Sequence, residues 1–182
     1  EIQISTTAEL GTGSESAATT VSARKLIDIL RALPENIDVT LRVDDKRATI
    51  QAGRSRFTLQ TMPVEDFPTV NTNHDWPASL RLPQKQLRNL FQMVHFAMAV
   101  QDVRYYLNGL LVDLAGSTFR TVSSDGHRLA VFQETLPTSA NANRQIIIPR
   151  KGILELYRFL GDNDDSVSLE IGPNTIRANL GD

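Results

Sequence analysis

One stretch of this chain is written twice. Ala23-Arg24-Lys25 recurs as Pro149-Arg150-Lys151, 126 positions on. Asp28, Arg31 and Leu33 recur as Glu155, Arg158 and Leu160, 127 positions on. Val39-Thr40-Leu41-Arg42-Val43 recurs as Val167-Ser168-Leu169-Glu170-Ile171 at a spacing of 128, and Thr49-Ile50-Gln51-Ala52 as Thr175-Ile176-Arg177-Ala178 at 126. Four matches in one order, with small drifts at turns, point to a copied module of strand, basic-started helix, strand and strand. The competing explanation is two β-rich segments converging on similar binary patterns.

The copies are unequal. The first runs past Ala52 into the strand-like Arg54-Ser55-Arg56-Phe57-Thr58-Leu59, whereas the second stops at Asp182 where its equivalent is due. Residues 78–147 have no counterpart ahead of the first copy. The expectation is the back half of one domain of ~125 residues followed by most of a second. Pro77 is the expected boundary, because residues 71–77 are polar and end in Trp-Pro. The chain opens on Glu rather than Met, so it is expected to begin inside a longer natural protein.

Periodicity predicts three amphipathic helices. The first is Ala23–Leu33, with apolar Leu26, Ile27, Leu30 and Leu33, Ser22 as N-cap and Pro34 as stop. The second is Gln84–Met98, with Leu87, Leu90, Phe91, Val94 and Met98 on one face after Pro83. The third is Arg150–Leu160, with Ile153, Leu156, Tyr157 and Leu160, ended by Gly161. Strands are predicted at 38–43, 48–52, 55–61, 109–115, 118–123, 127–136, 146–148 and 166–171, and the alternation in residues 1–5 is also strand-like. Residues 11–16 and 138–143 read as loops.

With 41% apolar residues a packed core is within reach, and no run approaches the ~20 residues of a membrane span. The absence of cysteine removes disulfide and thiolate chemistry and fits a reducing cytoplasm.

Charge is sorted by element. The three helices hold Arg24, Lys25, Arg31, Lys85, Arg88, Arg150, Lys151 and Arg158 against Asp28 and Glu155, a net +6 inside a chain of −2. These cations lie off the apolar stripes and are expected to face outward. A layer of such helices over a sheet would offer a positive face to phosphates, without sequence preference and sensitive to salt. Ordinary solvated helix faces are the alternative.

The octet Ser123-Ser124-Asp125-Gly126-His127-Arg128-Leu129-Ala130 concentrates Ser, Asp and His. A hydrolase using Ser124 and His127 needs converging side chains. Asp125-Gly126 reads instead as a tight turn into a strand, whose successive residues point to opposite faces. No catalytic residue and no cofactor is assigned. No metal site is assigned either: His74, His95 and His127 lie in separate contexts, and residues 162–165 lack the Gly and terminal Glu of a calcium loop. Gly11-Thr12-Gly13-Ser14 has no following Lys, which speaks against a phosphate cradle. Gln101-Asp102-Val103-Arg104-Tyr105-Tyr106-Leu107-Asn108-Gly109 follows a helix and enters a strand, and its paired aromatics with Arg and Gln suit nucleic-acid or peptide contact, half-buried packing being the alternative.

Residues 101–109 and 124–130 together resemble motifs of the bacterial DNA sliding clamps, the β subunits of replicative DNA polymerases. Gly53-Arg54-Ser55-Arg56-Phe57, Asp66-Phe67-Pro68 and Ile148-Pro149-Arg150-Lys151-Gly152 are similar to that family too, and the resemblance runs from residue 1 to 182. It implies an α+β fold of antiparallel sheets with helices on one face, in two subunits of three similar domains that close a ring around duplex DNA. Residues 1–77 would be the back half of the first domain and 78–182 the second, cut before its last strands. The ring would hold a polymerase on DNA in the bacterial cytoplasm, as a scaffold rather than an enzyme.

By that resemblance, Arg24, Lys25, Arg150 and Lys151 would lie at helix starts near the hole, and Gln101, Tyr105 and Tyr106 would reach DNA from a loop; Lys85, Arg88 and Arg158, cations of the same helix faces, are further expected DNA contacts. Arg104, Leu107, Ser124, Gly126, His127, Arg128 and Leu129 form the central domain's share of a pocket for short linear peptides of polymerases, the clamp loader and repair proteins. Leu107 and Leu129 would hold an aliphatic anchor and Arg128 a polar end. Phe57 and Leu59 would sit at a subunit interface. The family commonly has Thr at Ser124, so a methyl contact is lost. A stand-alone, non-specific DNA-binding module is the further alternative, and without a third domain this chain is not expected to close a ring.

Overall fold

The computed structural model describes residues 2–8, 16–44, 46–73, 75–137 and 139–181. The phosphate-cradle candidate at 11–14 and His74 therefore lie outside the described residues. Two compact units are present, Glu1–Val70 and Asn71–Asp182.

In the first unit, β1 (Thr20–Val21) leads into α1 (Ala23–Ala32), then β2 (Val39–Asp44), β3 (Arg47–Ala52) and β4 (Ser55–Met62). They make one antiparallel sheet in the order β1-β4-β3-β2. Period-two alternation puts Ala48, Ile50 and Leu59 on one face, where Leu26 and Ile29 of α1 pack with Val21 and Phe57. The apolar arc of α1 is wider than this sheet covers: Ile27 and Leu30, expected in the core, are exposed. Residues 2–8 carry no regular structure, so the strand expected at the start is absent there.

In the second unit, β5 (Ala78–Pro83) runs into α2 (Gln84–Gln92), followed by β6 (Gly109–Ala115), β7 (Thr118–Ser124) and β8 (Leu129–Thr135). Then β9 (Arg144–Pro149) runs into α3 (Arg150–Phe159), β10 (Ser166–Ile171) and β11 (Ile176–Asn179). Two antiparallel sheets result, β11-β10-β5 and β8-β7-β6-β9.

This unit contains the module twice, which the sequence comparison missed. Each copy lends its first strand to the other. Pro83 pairs with Ser166 and Leu82 with Val167; Pro149 pairs with Gly109 and Ile148 with Leu110. The exchange is reciprocal in register, as an internal two-fold requires. Between the sheets lies one core that includes Leu87, Leu90, Phe91, Leu110, Phe119, Ile153 and Leu169. Mutual cover explains burial: Val167 and Leu169 are 0% and 2% exposed, while Val39 and Leu41, their equivalents on β2, are 44% and 58% exposed.

Strand pairing also corrects the sequence repeat. Val43 pairs with Ala48 as Ile171 pairs with Ile176, so Ala48, not Ile50, is the equivalent of Ile176. The match of 49–52 to 175–178 is displaced by two residues. A slip of two keeps every side chain on its own face, so the pattern alone does not reveal it.

Candidate functional site

The two copies in the second unit differ most between helix and second strand. Residues 160–165 join α3 to β10, whereas residues 93–108 join α2 to β6. This longer connection holds the candidates Gln101, Arg104, Tyr105, Tyr106 and Leu107. It begins where α2 stops, earlier than its apolar periodicity predicts. Thr121 Oγ1 donates to the Leu90 carbonyl at 2.9 Å and Ser123 Oγ donates to the Val94 carbonyl, so two buried hydroxyls of β7 take up carbonyls at the helix end. A single 3-10 turn, His95–Ala97, follows, with the His95 ring stacked on Tyr157.

The rest of the connection is closed by Asn108. Its Oδ1 accepts from the Asp102 N–H (2.9 Å) and its Nδ2 donates to the Asp102 carbonyl (2.7 Å). Its own carbonyl accepts from Arg150 N–H at the start of α3, at 2.9 Å. At the tip, Gln101 takes a left-handed φ of 56° and is exposed. Tyr105 and Tyr106 are exposed too, their rings edge-on with centroids 5.9 Å apart. They are displayed outward, not packed as the alternative reading had it.

Across from it, residues 125–128 join β7 to β8, Ser124 pairing with Leu129. Asp125 Oδ1 accepts the N–H groups of His127 (2.9 Å) and Arg128 (3.1 Å), an Asx-turn. Ser124 Oγ donates to the Arg128 carbonyl (2.8 Å) and accepts from Gly126 N–H (3.1 Å). Gly126 has φ of 87°, which favours glycine. Arg128 Nε donates to Asp125 Oδ2 at 2.9 Å and its Nη2 to the Phe96 carbonyl at 2.9 Å, tying turn to connection. Leu129 is 67% exposed and Leu107 half-buried.

Two carboxylates hold this arrangement. Asp102 is lowered to about 2, first by the side-chain hydrogen bond from Arg104 and then by the Arg104 backbone N–H. Asp125 is lowered mainly by the His127 N–H, with Arg128 assisting. Arg104 is raised, chiefly by its hydrogen bond to Asp102. Neither acid was a candidate site residue from sequence. Their roles are in backbone capping, and the local signal was the Asx pattern at Asp125-Gly126 and at Asp102 two residues before Arg104.

The hydrolase alternative gains nothing. Ser124 Oγ is committed to the Arg128 carbonyl, and among the described residues no hydrogen bond joins it to the exposed His127 imidazole. Among the described residues, no cluster of three or more His, Asp or Glu could hold a metal, and no helix is long and apolar enough to cross a membrane.

The helix cations separate into three groups. Arg24, Lys25, Arg31 and Lys151 are exposed, and among the described residues no ion pair engages them. Lys85 is exposed but pairs with Asp164 at 2.6 Å, and Arg158 pairs with Glu155 at 3.0 Å. Arg88 does not face outward as expected. Its Nη1 donates to the Leu160 carbonyl (2.8 Å) and the Tyr157 carbonyl (3.3 Å), with the guanidinium 4.4 Å from the Tyr157 ring centroid. The reason is that α2 and α3 pack against each other and Arg88 lies at their contact, where the unsatisfied carbonyls of the α3 end need donors. Arg150 is half-buried, with Nη1 donating to the Met98 carbonyl at 3.3 Å. The interface candidates are also turned inward: Leu59 is buried in the first unit's own cluster, and Phe57 packs on it.

The fold is that of the DNA sliding clamps. A crystal structure of the DNA polymerase sliding clamp from Pseudomonas aeruginosa with ligand superposes with a TM-score of 0.90 at 44% identity, covering 94% of this chain and 47% of that one. Another from the same organism, bound to griselimycin, gives 0.83 at 45% identity, covering 89% and 44%. The beta sliding clamp of Pseudomonas putida is 45% identical over 184 residues, which take in all of this chain and 49% of the relative. Residues 1–71 match the N-terminal domain of the DNA polymerase III beta subunit and residues 81–182 its central domain. The chain belongs to the bacterial β sliding clamp family, and it spans about half the length of these relatives.

Proposed function

We propose that this chain supplies part of a ring-shaped clamp that encircles duplex DNA and confers processivity on a replicative polymerase in the bacterial cytoplasm, as a non-enzymatic scaffold. The free cations Arg24, Lys25 and Lys151 face phosphates, and Gln101, Tyr105 and Tyr106 touch DNA from the long connection. Contacts to phosphate alone fix no sequence register, which lets a clamp slide. The ring is a homodimer in the full-length protein. The turn at 124–129 and the connection at 96–107 form one wall of a groove for short linear peptides of polymerases, the clamp loader and repair proteins. Leu107 and Leu129 take the aliphatic anchor and Arg128 the polar end.

One observation carries this reading: the two units match successive domains of a single family, and the arginine-rimmed turn falls within the central one. Griselimycin, which a Pseudomonas aeruginosa clamp binds, is the probe. Calorimetric titration of the 182-residue chain is expected to give binding that Arg128→Ala and Leu107→Ala each weaken. Binding unaffected by either variant, or hydrolysis of a serine-reactive ester lost in His127→Ala, would overturn it.

A further inference from the structure

Among the pocket candidates, Arg104 is gripped by a carboxylate of its own connection. Its Nε and Nη2 meet Asp102 Oδ1 and Oδ2 at 3.0 and 2.8 Å, a two-point fork on one carboxylate. Nη2 also reaches the Asp125 carbonyl at 3.4 Å. A Cβ at Gly126 would stand 2.8 and 2.9 Å from Nη2 and Nη1, so the guanidinium lies flat against the turn with no atom between. Asp102 in turn is fixed from three directions: Asn108 takes its N–H and its carbonyl, and Arg104 N–H donates to Oδ1 at 2.8 Å. Asn108 is anchored on the Arg150 N–H.

We propose that Asp102 is a positioning residue for peptide recognition, acting through Arg104, which it holds as a strut beneath the 124–129 turn. This inference rests on the peptide-groove reading of that turn. Arg104 is then a floor and not a ligand contact, and the groove is ordered before its ligand arrives. Preorganisation of this kind spares the bound state the ordering of a loop. The long-side-chain cation alone would sample many rotamers; the forked carboxylate leaves it one. Neutralising Asp102 as Asn removes the charge and turns amide donors toward guanidinium donors. Arg104 then leaves Gly126, and the turn loses its support while its Asx-turn bonds remain.

The test is a double-mutant cycle read two ways on the 182-residue chain: parent, Asp102→Asn, Arg104→Ala and the double variant. The first readout is the amide spectrum of 15N-labelled protein. Both single variants are expected to move the Gly126, His127 and Arg128 amides while those of Leu110, Val112 and Leu114 in β6 stay in place. The second is griselimycin titration, in which each single variant weakens binding up to about fivefold, as for a half-exposed ion pair, and the double variant weakens it no further. Additive losses, or turn amides unmoved in Asp102→Asn, overturn the strut. If Asp102→Asn does not fold, Arg104→Ala, which leaves the Asn108 bonds to Asp102 intact, decides by the same amides. A parent chain that fails to bind griselimycin counts against the groove reading, and the amide readout still decides the strut.

Discussion

Adding one methyl group at Gly126 separates backbone strain from the contact beneath the turn, because a second glycine provides the control. Gly116 has φ of 58° with no atom within 4 Å of a built Cβ; Gly126 has φ of 87° with the Arg104 guanidinium at 2.8 and 2.9 Å. An L-residue held at positive φ costs ~1–2 kcal/mol, partly offset by ~0.4–1 kcal/mol from the stiffer unfolded chain. Gly116→Ala is therefore expected to lose about 1 kcal/mol, near 4–8 °C in Tm for a unit of this size. Gly126→Ala pays a similar strain. Its extra contact is with the half-exposed end of Arg104, and displacing it costs no more than the Asp102 ion pair, so the stability loss stays within about 1 kcal/mol of the control. The difference is in function. Gly126→Ala ejects Arg104 from its place on the turn and weakens griselimycin binding, while Gly116→Ala leaves binding unchanged. Trp76, the single tryptophan, lies in the second unit with the Arg177 guanidinium 4.3 Å from its ring, so its fluorescence follows that unit's urea unfolding. Equal griselimycin affinity in the two variants would refute the idea that the guanidinium's place against the turn supports binding.

Four other outcomes follow from particular residues. Phe91 is fully buried between the sheets, so Phe91→Ala is expected to cost about 3–5 kcal/mol in the same unfolding assay. Arg88→Gln strips donors from the end of α3 and is expected to lose about 1–2 kcal/mol of stability with little change in the salt dependence of retention on a DNA column. Lys151→Gln is expected to do the reverse, lowering the log–log salt slope by about 1 with stability within ~0.5 kcal/mol of the parent. As to pH, Asp102 is lowered from 3.8 to about 2, so its ionised form is favoured by folding. The Arg104 strut is then fully present above pH 3.8 and is lost as pH falls through about 2. An acid titration followed by the Asp102 carboxyl carbon checks this, and a midpoint near 3.8 would contradict the fork.

The helices were legible because each begins beside proline or serine and carries a 3.6-residue apolar period; their starts at Ala23, Gln84 and Arg150 stand as read. The end of α2 was not. Its period runs on to Met98, but the hydroxyls of Thr121 and Ser123 capture carbonyls at that end, a tertiary event with no local signature. The half-repeat inside the second unit was hidden for a related reason. Pro83 and Pro149 stand 66 apart, but Leu110 and Val167 stand 57 apart, because one connection is longer. A search for a fixed spacing loses the match at that point. Outward-facing cations were over-read: off the apolar stripe is not the same as in solvent, and Arg88 lies off the stripe yet points at the neighbouring helix.

That longer connection is also the reason a symmetric module carries an asymmetric site. In the second unit the two copies trade first strands in matching register, so their scaffolds are interchangeable and neither alone specifies a binding edge. Where six residues close α3 onto β10, there is no chain to spare beyond the turn itself. Where residues 93–108 close α2 onto β6, the spare chain must be held, and Asn108, Asp102 and Arg104 hold it through hydrogen bonds. Arg104 and Arg128 then carry that order to the 124–129 turn, through the Asp125 and Phe96 carbonyls. Replacing residues 100–106 by a short glycine linker, which leaves the buried Val94, Ala97, Met98 and Ala99 in place, is therefore expected to keep the core and to abolish griselimycin binding. A shortened chain that folds and still binds would show that the turn alone makes the groove.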